Sequence, residues 1–216
     1  MKTTITASQQ SEKTRRMVFL AMFSAIIVIM ALIPYVGYIP INPAITLTTL
    51  QIPVIIGAIM LGPVDGALLG LVFGVTSMIQ APFLQAPTAF LFNPFVPLGN
   101  YKSFIIAVVP RVLIGVASAY VYKFFIRFDK TQVFAAIAAS IAGALTTSIL
   151  VLGGIYIFFK DEFAAYIGQA ASTVLNVLLG VFISNSLLEI TLTAIVVPAI
   201  WKALSAAIIK NRFEKV

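Results

Sequence analysis

From Leu47 to Ile79 the chain carries a single charged side chain, Asp65, in 33 residues. A helix of about 20 residues crosses the hydrocarbon core of a bilayer, so one helix does not use this run without extreme tilt. The sequence Gly62-Pro63-Val64-Asp65 is typical of a turn. We therefore expect two short membrane spans, at about 47–61 and 64–80, the first of them containing Pro53 and being short enough to break or to cross incompletely.

The composition excludes most soluble functions. Apolar residues make up 61% of the 216-residue chain and charged residues 10%, against about 45–50% and 25% in soluble domains. Histidine and cysteine are absent, which excludes disulfides, thiol nucleophiles, histidine bases and the metal sites built from those ligands. No G-x-x-x-x-G-K-[ST] sequence is present, so the chain lacks the usual P-loop for ATP. The sequence predicts a non-enzyme with no cofactor and no metal site, and any energy for transport would have to come from an ion gradient or another subunit.

Four further apolar runs complete the predicted architecture. They lie at about 17–33, 104–122, 133–159 and 174–200. We predict an all-α membrane protein, a compact bundle of six transmembrane helices. Residues 1–16 form a polar tail, 17–201 one six-helix domain, and 202–216 a basic tail.

The basic residues predict the orientation. They lie at the ends of apolar runs rather than in a continuous stripe, which argues against nucleic-acid binding despite a net charge of +7. Six spans with both termini in the cytoplasm leave eleven basic residues inside, Lys102 and Lys160 outside, and Arg111 embedded. A single span over 47–80 would instead leave seven outside and six inside. The positive-inside rule favours six spans of a multi-pass protein of the cell membrane, with cytoplasmic termini.

Arg111 is the most informative residue, because an arginine within hydrocarbon costs several kcal/mol unless it pairs, lines a cavity or reaches the interface. It lies one or two turns into an apolar helix, and its planar fork matches a carboxylate. One interpretation is a substrate carboxylate held by Arg111. The alternatives are an ion pair with Glu189 and extension of the side chain to the outer surface.

Glu189 and Asn185 share a helix face at i,i+4 spacing. Asn185 donates and accepts hydrogen bonds, and Glu189 accepts them from hydroxyl or amide groups. They are predicted ligand contacts or, alternatively, a polar contact between helices. A proton relay is less favoured because no second embedded acid accompanies Glu189.

The outer connections are rich in proline, aromatic and amide residues, which together suit the cover of a small amphipathic ligand. Ordinary interfacial loops have the same composition. The candidate ligand contacts here are Asn42, Thr48, Gln85, Asn93, Asn100, Tyr101 and Lys102.

Two patterns of small residues predict close helix packing. Glycine recurs every fourth residue at Gly62, Gly66, Gly70 and Gly74, and an A-x-x-x-A pair is formed by Ala21 and Ala25. We expect the glycines to pack within the protein, whereas an external partner is an alternative for the alanines.

The order and spacing of several segments resemble one family, the substrate-binding S components of energy-coupling factor (ECF) vitamin transporters. The segments are Leu20-Ala21-Met22-Phe23-Ser24-Ala25, IPVIIGAIMLGPVDGALLGLVFGVTSMI, VVPRVLIGVASAYVYKF and SNSLLEI. The resemblance covers essentially the whole chain. It implies a vitamin-capturing subunit that associates with a membrane coupling (T) subunit and two cytoplasmic ATPase subunits, docking through Ala21 and Ala25.

Within that family the segments look most like the pantothenate-specific members. Arg111 would then meet the ligand carboxylate, with Asn185 and Glu189 at its hydroxyl and amide end. Folate, riboflavin and a thiamine precursor are the alternative substrates. An ion-coupled carrier and a membrane-embedded enzyme are alternatives of other classes, although Arg111 and Glu189 are too few ionisable groups for most enzymes of that kind.

Overall fold

The computed structural model describes residues 7–33, 35–42, 45–83, 89–129 and 131–213. Most of these residues are helical, and one two-stranded hairpin lies between the first and the second helix. The main elements are α1 (Ala7–Leu32), β1 (Tyr38–Asn42), β2 (Ile45–Thr48), α2 (Gln51–Leu61), α3 (Pro63–Gln80), α4 (Tyr101–Phe125), α5 (Val133–Phe158), α6 (Lys160–Ile167), α7 (Val174–Val181) and α8 (Leu187–Phe213). A π-helical turn, Phe182–Ser186, joins α7 to α8.

Five helical segments within the described residues are long and apolar enough to cross a membrane. They are Gln10–Leu32, Pro63–Gln80, Tyr101–Phe125, Val133–Phe158 and Ala171–Ser205. The sixth predicted span corresponds to α2, which has 11 residues. An all-helical membrane protein is therefore confirmed in outline, with α2 shorter than a spanning helix.

Several helix ends differ from the predicted ones. Helix α1 begins at Ala7 rather than near residue 17, because the polar residues before the apolar run continue the same helix. Helix α4 begins at Tyr101 rather than near 104, because Asn100 and Ser103 form a capping box at its first turn. The predicted turn after Leu61 is confirmed, and Gly62 adopts φ +97°, which favours glycine.

The prediction of a helical span from residue 47 is wrong. Residues 45–48 form strand β2 and pair antiparallel with β1, Tyr38 lying opposite Thr48 and Ile39 opposite Leu47. The β-branched residues Ile45, Thr46 and Thr48 favour an extended conformation. The segment between α1 and α2 therefore contains two paired strands, and β2 leads into α2.

The single regular helix predicted over 174–200 is also wrong. The π-helical turn Phe182–Ser186 interrupts it, and such turns are frequent at functional sites. The turn contains Asn185 and immediately precedes the helix that carries Glu189.

Two apolar clusters of described residues form the core. The larger one joins α1, α2, α3, α4, α5 and α8 and includes Phe23, Ile55, Phe73 and Trp201. The smaller one gathers Phe90, Ile155, Phe159 and Val174, with Phe92 packed against it.

An ion pair ties α1 to the start of α3. Arg16 donates through Nε and Nη2 to the two carboxylate oxygens of Asp65, with 2.7 Å between Nη2 and Oδ1. Asp65 is buried whereas Arg16 is exposed. The arrangement is the bidentate fork that makes arginine–carboxylate pairs geometrically specific.

The connection between α4 and α5 is held by a carboxylate cap. Asp129 accepts hydrogen bonds from the backbone of Ala135 at 2.9 Å and from both the backbone and the hydroxyl of Thr131. The Ala135 N–H, followed by the Thr131 hydroxyl, lowers the pKa of Asp129 below its ordinary value. The anionic form of Asp129 is therefore the one that stabilises the start of α5.

Candidate functional site

Arg111 lies inside the bundle rather than at its surface. The residue is 9% exposed, which excludes extension of its side chain to the outer surface. Its Nη1 donates to the Ile106 carbonyl at 2.8 Å. That carbonyl is available because Pro110, four residues later, has no N–H to donate to it. Proline and arginine at neighbouring positions thus fix where the guanidinium lies.

The guanidinium lies between two aromatic rings. Its central carbon is 5.0 Å from the centroid of the Phe92 ring and 5.6 Å from that of Phe73. Both distances allow cation–π attraction. Phe73 belongs to the larger apolar cluster and Phe92 packs against the smaller one. The positive charge is therefore placed where the two clusters meet.

Arg111 has no carboxylate partner within the part of the chain that the structure describes. There, the ion pair closer than 4.0 Å is the one between Arg16 and Asp65. The buried Nε of Arg111 also has no hydrogen-bond partner among the described residues. The predicted alternative of an Arg111–Glu189 ion pair is therefore not the arrangement observed.

Glu189 contacts the hairpin instead. The residue is 7% exposed, and its Oε1 accepts a hydrogen bond of 2.8 Å from the backbone N–H of Thr48. Two predicted site residues, 141 positions apart in sequence, are thereby brought together. This bond joins strand β2 to α8 beside the π-helical turn.

Asn185 contributes an unused acceptor. Its Oδ1 is buried and accepts no hydrogen bond from any residue in the described ranges. A buried amide oxygen without a donor is unfavourable, and in native proteins it usually has a partner of some kind. Asn185 therefore has an unfilled requirement for a donor such as a hydroxyl or an N–H group.

Tyr38 lies on the hairpin, close to α3 and to Arg111. Its hydroxyl is 2.7 Å from Ser77 Oγ on α3. Burial raises the pKa of Tyr38 above its ordinary value, while the Ser77 hydrogen bond and the charge of Arg111 act in the opposite direction. Tyr38 is thus a neutral hydroxyl near neutral pH, held within the electrostatic reach of Arg111.

Most other predicted contacts have structural partners. Asn93 donates to the Met78 carbonyl and accepts from the Phe95 N–H, so both ends of its amide are used. Asn100 caps α4, and Lys102 Nζ lies 3.4 Å from the Phe158 carbonyl. Tyr101 is 73% exposed. The positions of Asn93, Asn100 and Lys102 are thus explained by contacts within the protein, with no need for a ligand.

Two predicted contacts are not placed by the structure. Gln85 lies outside the described residues, and for Asn42 the described part is the backbone of β1. Both remain predictions from the sequence.

The sequence reasoning missed three side chains. Phe73 and Phe92 flank the guanidinium, and phenylalanine is too common in membrane helices to be singled out. Gln51 is 1% exposed, and its Nε2 has no partner among the described residues. A signal for Gln51 did exist, because it is the only polar residue in the α2 sequence QIPVIIGAIML.

The predicted docking residues lie on the surface. Ala21 and Ala25 are exposed on α1. Large apolar side chains around them are exposed as well, among them Val18, Met22, Ile26 and Ile29. This face of α1 is apolar and uncovered by the described parts of the protein.

Comparison with known proteins identifies the family. A family model described as ECF transporter, substrate-specific component, matches residues 15–201. "Pantothenic acid transporter PanT" from Lactococcus lactis subsp. cremoris is 36% identical over 208 residues, covering 92% of this chain and 97% of the relative. "Pantothenate transporter PanT" from Leuconostoc mesenteroides subsp. mesenteroides is 30% identical over 202 residues, covering 90% and 94%. The chain is thus a multi-pass membrane protein, and it belongs to the family of substrate-specific components of ECF transporters.

Proposed function

We propose that this chain captures pantothenate and delivers it to an ATP-driven, multi-subunit ECF importer. The observation that carries the proposal is the buried guanidinium of Arg111, which has no carboxylate partner among the described residues. A charge held in this way is costly unless an anion arrives to neutralise it. The two relatives named as pantothenate transporters support the same substrate.

The remaining polar groups complement the rest of the ligand. Pantothenate carries one carboxylate, one amide and two hydroxyl groups. The Asn185 Oδ1 and the Glu189 carboxylate are acceptors, which suit the hydroxyl and amide hydrogens. We place the carboxylate at Arg111 and the hydroxylated end toward Asn185 and Glu189.

The alternative vitamins match less well. Riboflavin and the thiamine precursors carry no anion to neutralise Arg111. Folate carries carboxylates but requires a larger cavity.

We expect the purified chain to bind pantothenate tightly without sodium or a proton gradient. Isothermal titration calorimetry with pantothenate, folate, riboflavin and a thiamine pyrimidine precursor tests this. The expected result is a preference of at least about 100-fold for pantothenate, since mispairing a buried polar site costs a few kcal/mol. Equal or tighter binding of another vitamin would overturn the substrate assignment, and robust ion-driven uptake by the chain alone would overturn the importer assignment.

For topology we propose six crossings with both termini in the cytoplasm. The Arg16–Asp65 pair supports an even number of crossings between those residues, because it places both on the same side of the membrane. Helix α1 provides the first crossing. Helix α2 rises about 16 Å, roughly half of the hydrocarbon core. We therefore propose that β2 and α2 make the return crossing together, enclosed by the other helices.

For assembly we propose that α1 docks on a membrane coupling subunit, and that two cytoplasmic ATPases hydrolyse the ATP. The exposure of Ala21 and Ala25 supports this, because small residues allow close backbone approach between helices.

Replacing Ala21 and Ala25 together with tryptophan tests the docking face. We expect the variant to keep its affinity for pantothenate but to lose capture by a tagged ECF coupling module and ATP-dependent uptake in proteoliposomes. Ile195→Trp, at an exposed apolar position on α8, is the matched control and should retain both. Normal capture by the double variant would place the docking surface elsewhere.

A further inference from the structure

Gln51 is a buried amide whose donor end has no partner among the described residues. It is the first residue of α2 and is 1% exposed. Its Nε2 donates to no residue in the described part of the chain. Burying an amide donor without an acceptor is unfavourable, and an apolar residue would fill the same space more favourably.

The contacts of α2 show which way this residue faces. Ile55 and Ala58 follow Gln51 by four and seven residues and therefore share its helix face. A Cβ atom built on Gly143 of α5 would lie 3.3 Å from Ile55 Cδ1, and one built on Gly66 of α3 would lie 2.7 Å from Ala58 Cβ. The face that carries Gln51 is thus turned toward α3, α4 and α5 rather than toward lipid.

The depth of Gln51 in the bundle follows from the same contacts. Ala58, Gly66 and Gly115 lie at one level, since a Cβ on Gly66 would meet both of the other residues. From that level Gln51 lies about 10 Å nearer the hairpin along α2. Arg111 lies about 6 Å nearer the hairpin along α4, as the contact of Gly70 with the Arg111 backbone also indicates.

The guanidinium lies further toward the hairpin than its backbone. Helical side chains lean toward the N-terminus of their helix, and Arg111 Nη1 accordingly reaches the carbonyl of Ile106, five residues earlier. The Arg111 guanidinium and the Gln51 amide therefore lie at similar depth, on faces turned toward the same interior.

We propose that Gln51 is a specificity-determining residue that donates a hydrogen bond from Nε2 to the amide carbonyl oxygen of the ligand. This inference rests on the proposed function. Several buried polar atoms have no hydrogen-bond partner within the described ranges. Those near this level include two donors, on Arg111 and Gln51, and an acceptor on Asn185. With the ligand carboxylate at Arg111 and the hydroxyl groups toward Asn185 and Glu189, the amide carbonyl between them is the acceptor left for Gln51. The site thus recognises an acyl amide bearing a carboxylate at one end and hydroxyl groups at the other.

The test is Gln51→Leu, a substitution that keeps the side-chain size and removes the donor. Calorimetry should show pantothenate bound about 5- to 50-fold more weakly than by the unmodified chain. Panthenol, in which a –CH2OH group replaces the carboxylate, keeps the amide carbonyl and should be weakened by the same factor. The melting temperature of the ligand-free variant should be unchanged or higher, because an unpaired buried donor has been removed.

Ser118→Ala is the matched control. Ser118 Oγ is also buried without a partner among the described residues, but it lies against Gly143, at the level of Ile55 and one turn deeper than Gln51. We expect this variant to bind both ligands as the unmodified chain does.

The outcomes separate this inference from the proposed function. Unchanged affinity together with a lower melting temperature of the ligand-free Gln51→Leu protein would show a structural role and overturn the inference alone. Weaker binding of pantothenate but not of panthenol would move Gln51 to the carboxylate and overturn the assignment to the carbonyl. Absence of pantothenate binding by the unmodified chain would instead overturn the proposed function.

Discussion

Replacing Arg111 with alanine is expected to weaken pantothenate binding by roughly 30- to 1,000-fold. Truncating one partner of a buried, hydrogen-bonded charge pair costs about 2–4 kcal/mol, and each 1.4 kcal/mol is a factor of ten. The ligand carboxylate would lose the fork that holds it and would remain buried without a cation, near the Phe73 and Phe92 rings that flank the guanidinium. Calorimetry on the detergent-solubilised chain measures the effect.

Panthenol provides the control for this prediction. The unmodified chain should bind it far more weakly than pantothenate, whereas the Arg111→Ala variant should bind the two with similar affinity. The preference of Arg111→Lys for pantothenate over panthenol should lie between those of the unmodified chain and of Arg111→Ala, because lysine keeps the charge but lacks the planar fork. A variant that still prefers pantothenate over panthenol would show that the carboxylate lies elsewhere.

Gly70→Ala is expected to disturb the packing of α3 against α4 and to weaken pantothenate binding. A Cβ at Gly70 would overlap the carbonyl oxygen of Arg111, so α3 and α4 must separate where the guanidinium is positioned. Overpacking a close contact of this kind costs about 1–3 kcal/mol. We expect a lower melting temperature and at least about a tenfold loss of pantothenate affinity, measured by thermal unfolding and calorimetry.

Other glycines provide a graded series of controls. A Cβ on Gly74 would lie 3.0 Å from Val108 Cα, so Gly74→Ala should have an intermediate effect. A Cβ on Gly153 would meet nothing within 4 Å, so Gly153→Ala should be neutral or slightly stabilising, since alanine favours the helix. Equal behaviour of all three variants would contradict the proposed contact between α3 and the Arg111 backbone.

The apolar runs predicted the long helices because hydrocarbon demands continuous apolar sequence, and Gly62-Pro63 marked the turn between α2 and α3. The same signal misplaced the start of α1, since it reports the lipid-embedded part and not the polar turns that continue the helix. It also missed the hairpin and the π-helical turn. Both lie within uncharged sequence, and tertiary packing rather than hydropathy determines their backbone.

For the site, the sequence identified Arg111 and Glu189 because charges within apolar runs are rare. It did not predict their partners. The contact of Glu189 with Thr48 joins elements 141 residues apart, which no local pattern encodes. Gln51 is uncharged and lies at a helix start, where a polar residue is common, so its burial became apparent only from the packing of α2 against its neighbours.

The bond between Thr48 and Glu189 has a consequence for sequence variation. Its donor is a main-chain group, which every amino acid except proline supplies. The main-chain bond therefore survives a change of side chain at position 48, and the hairpin keeps this contact with α8. Proline at that position would remove the bond even though position 189 kept its acid.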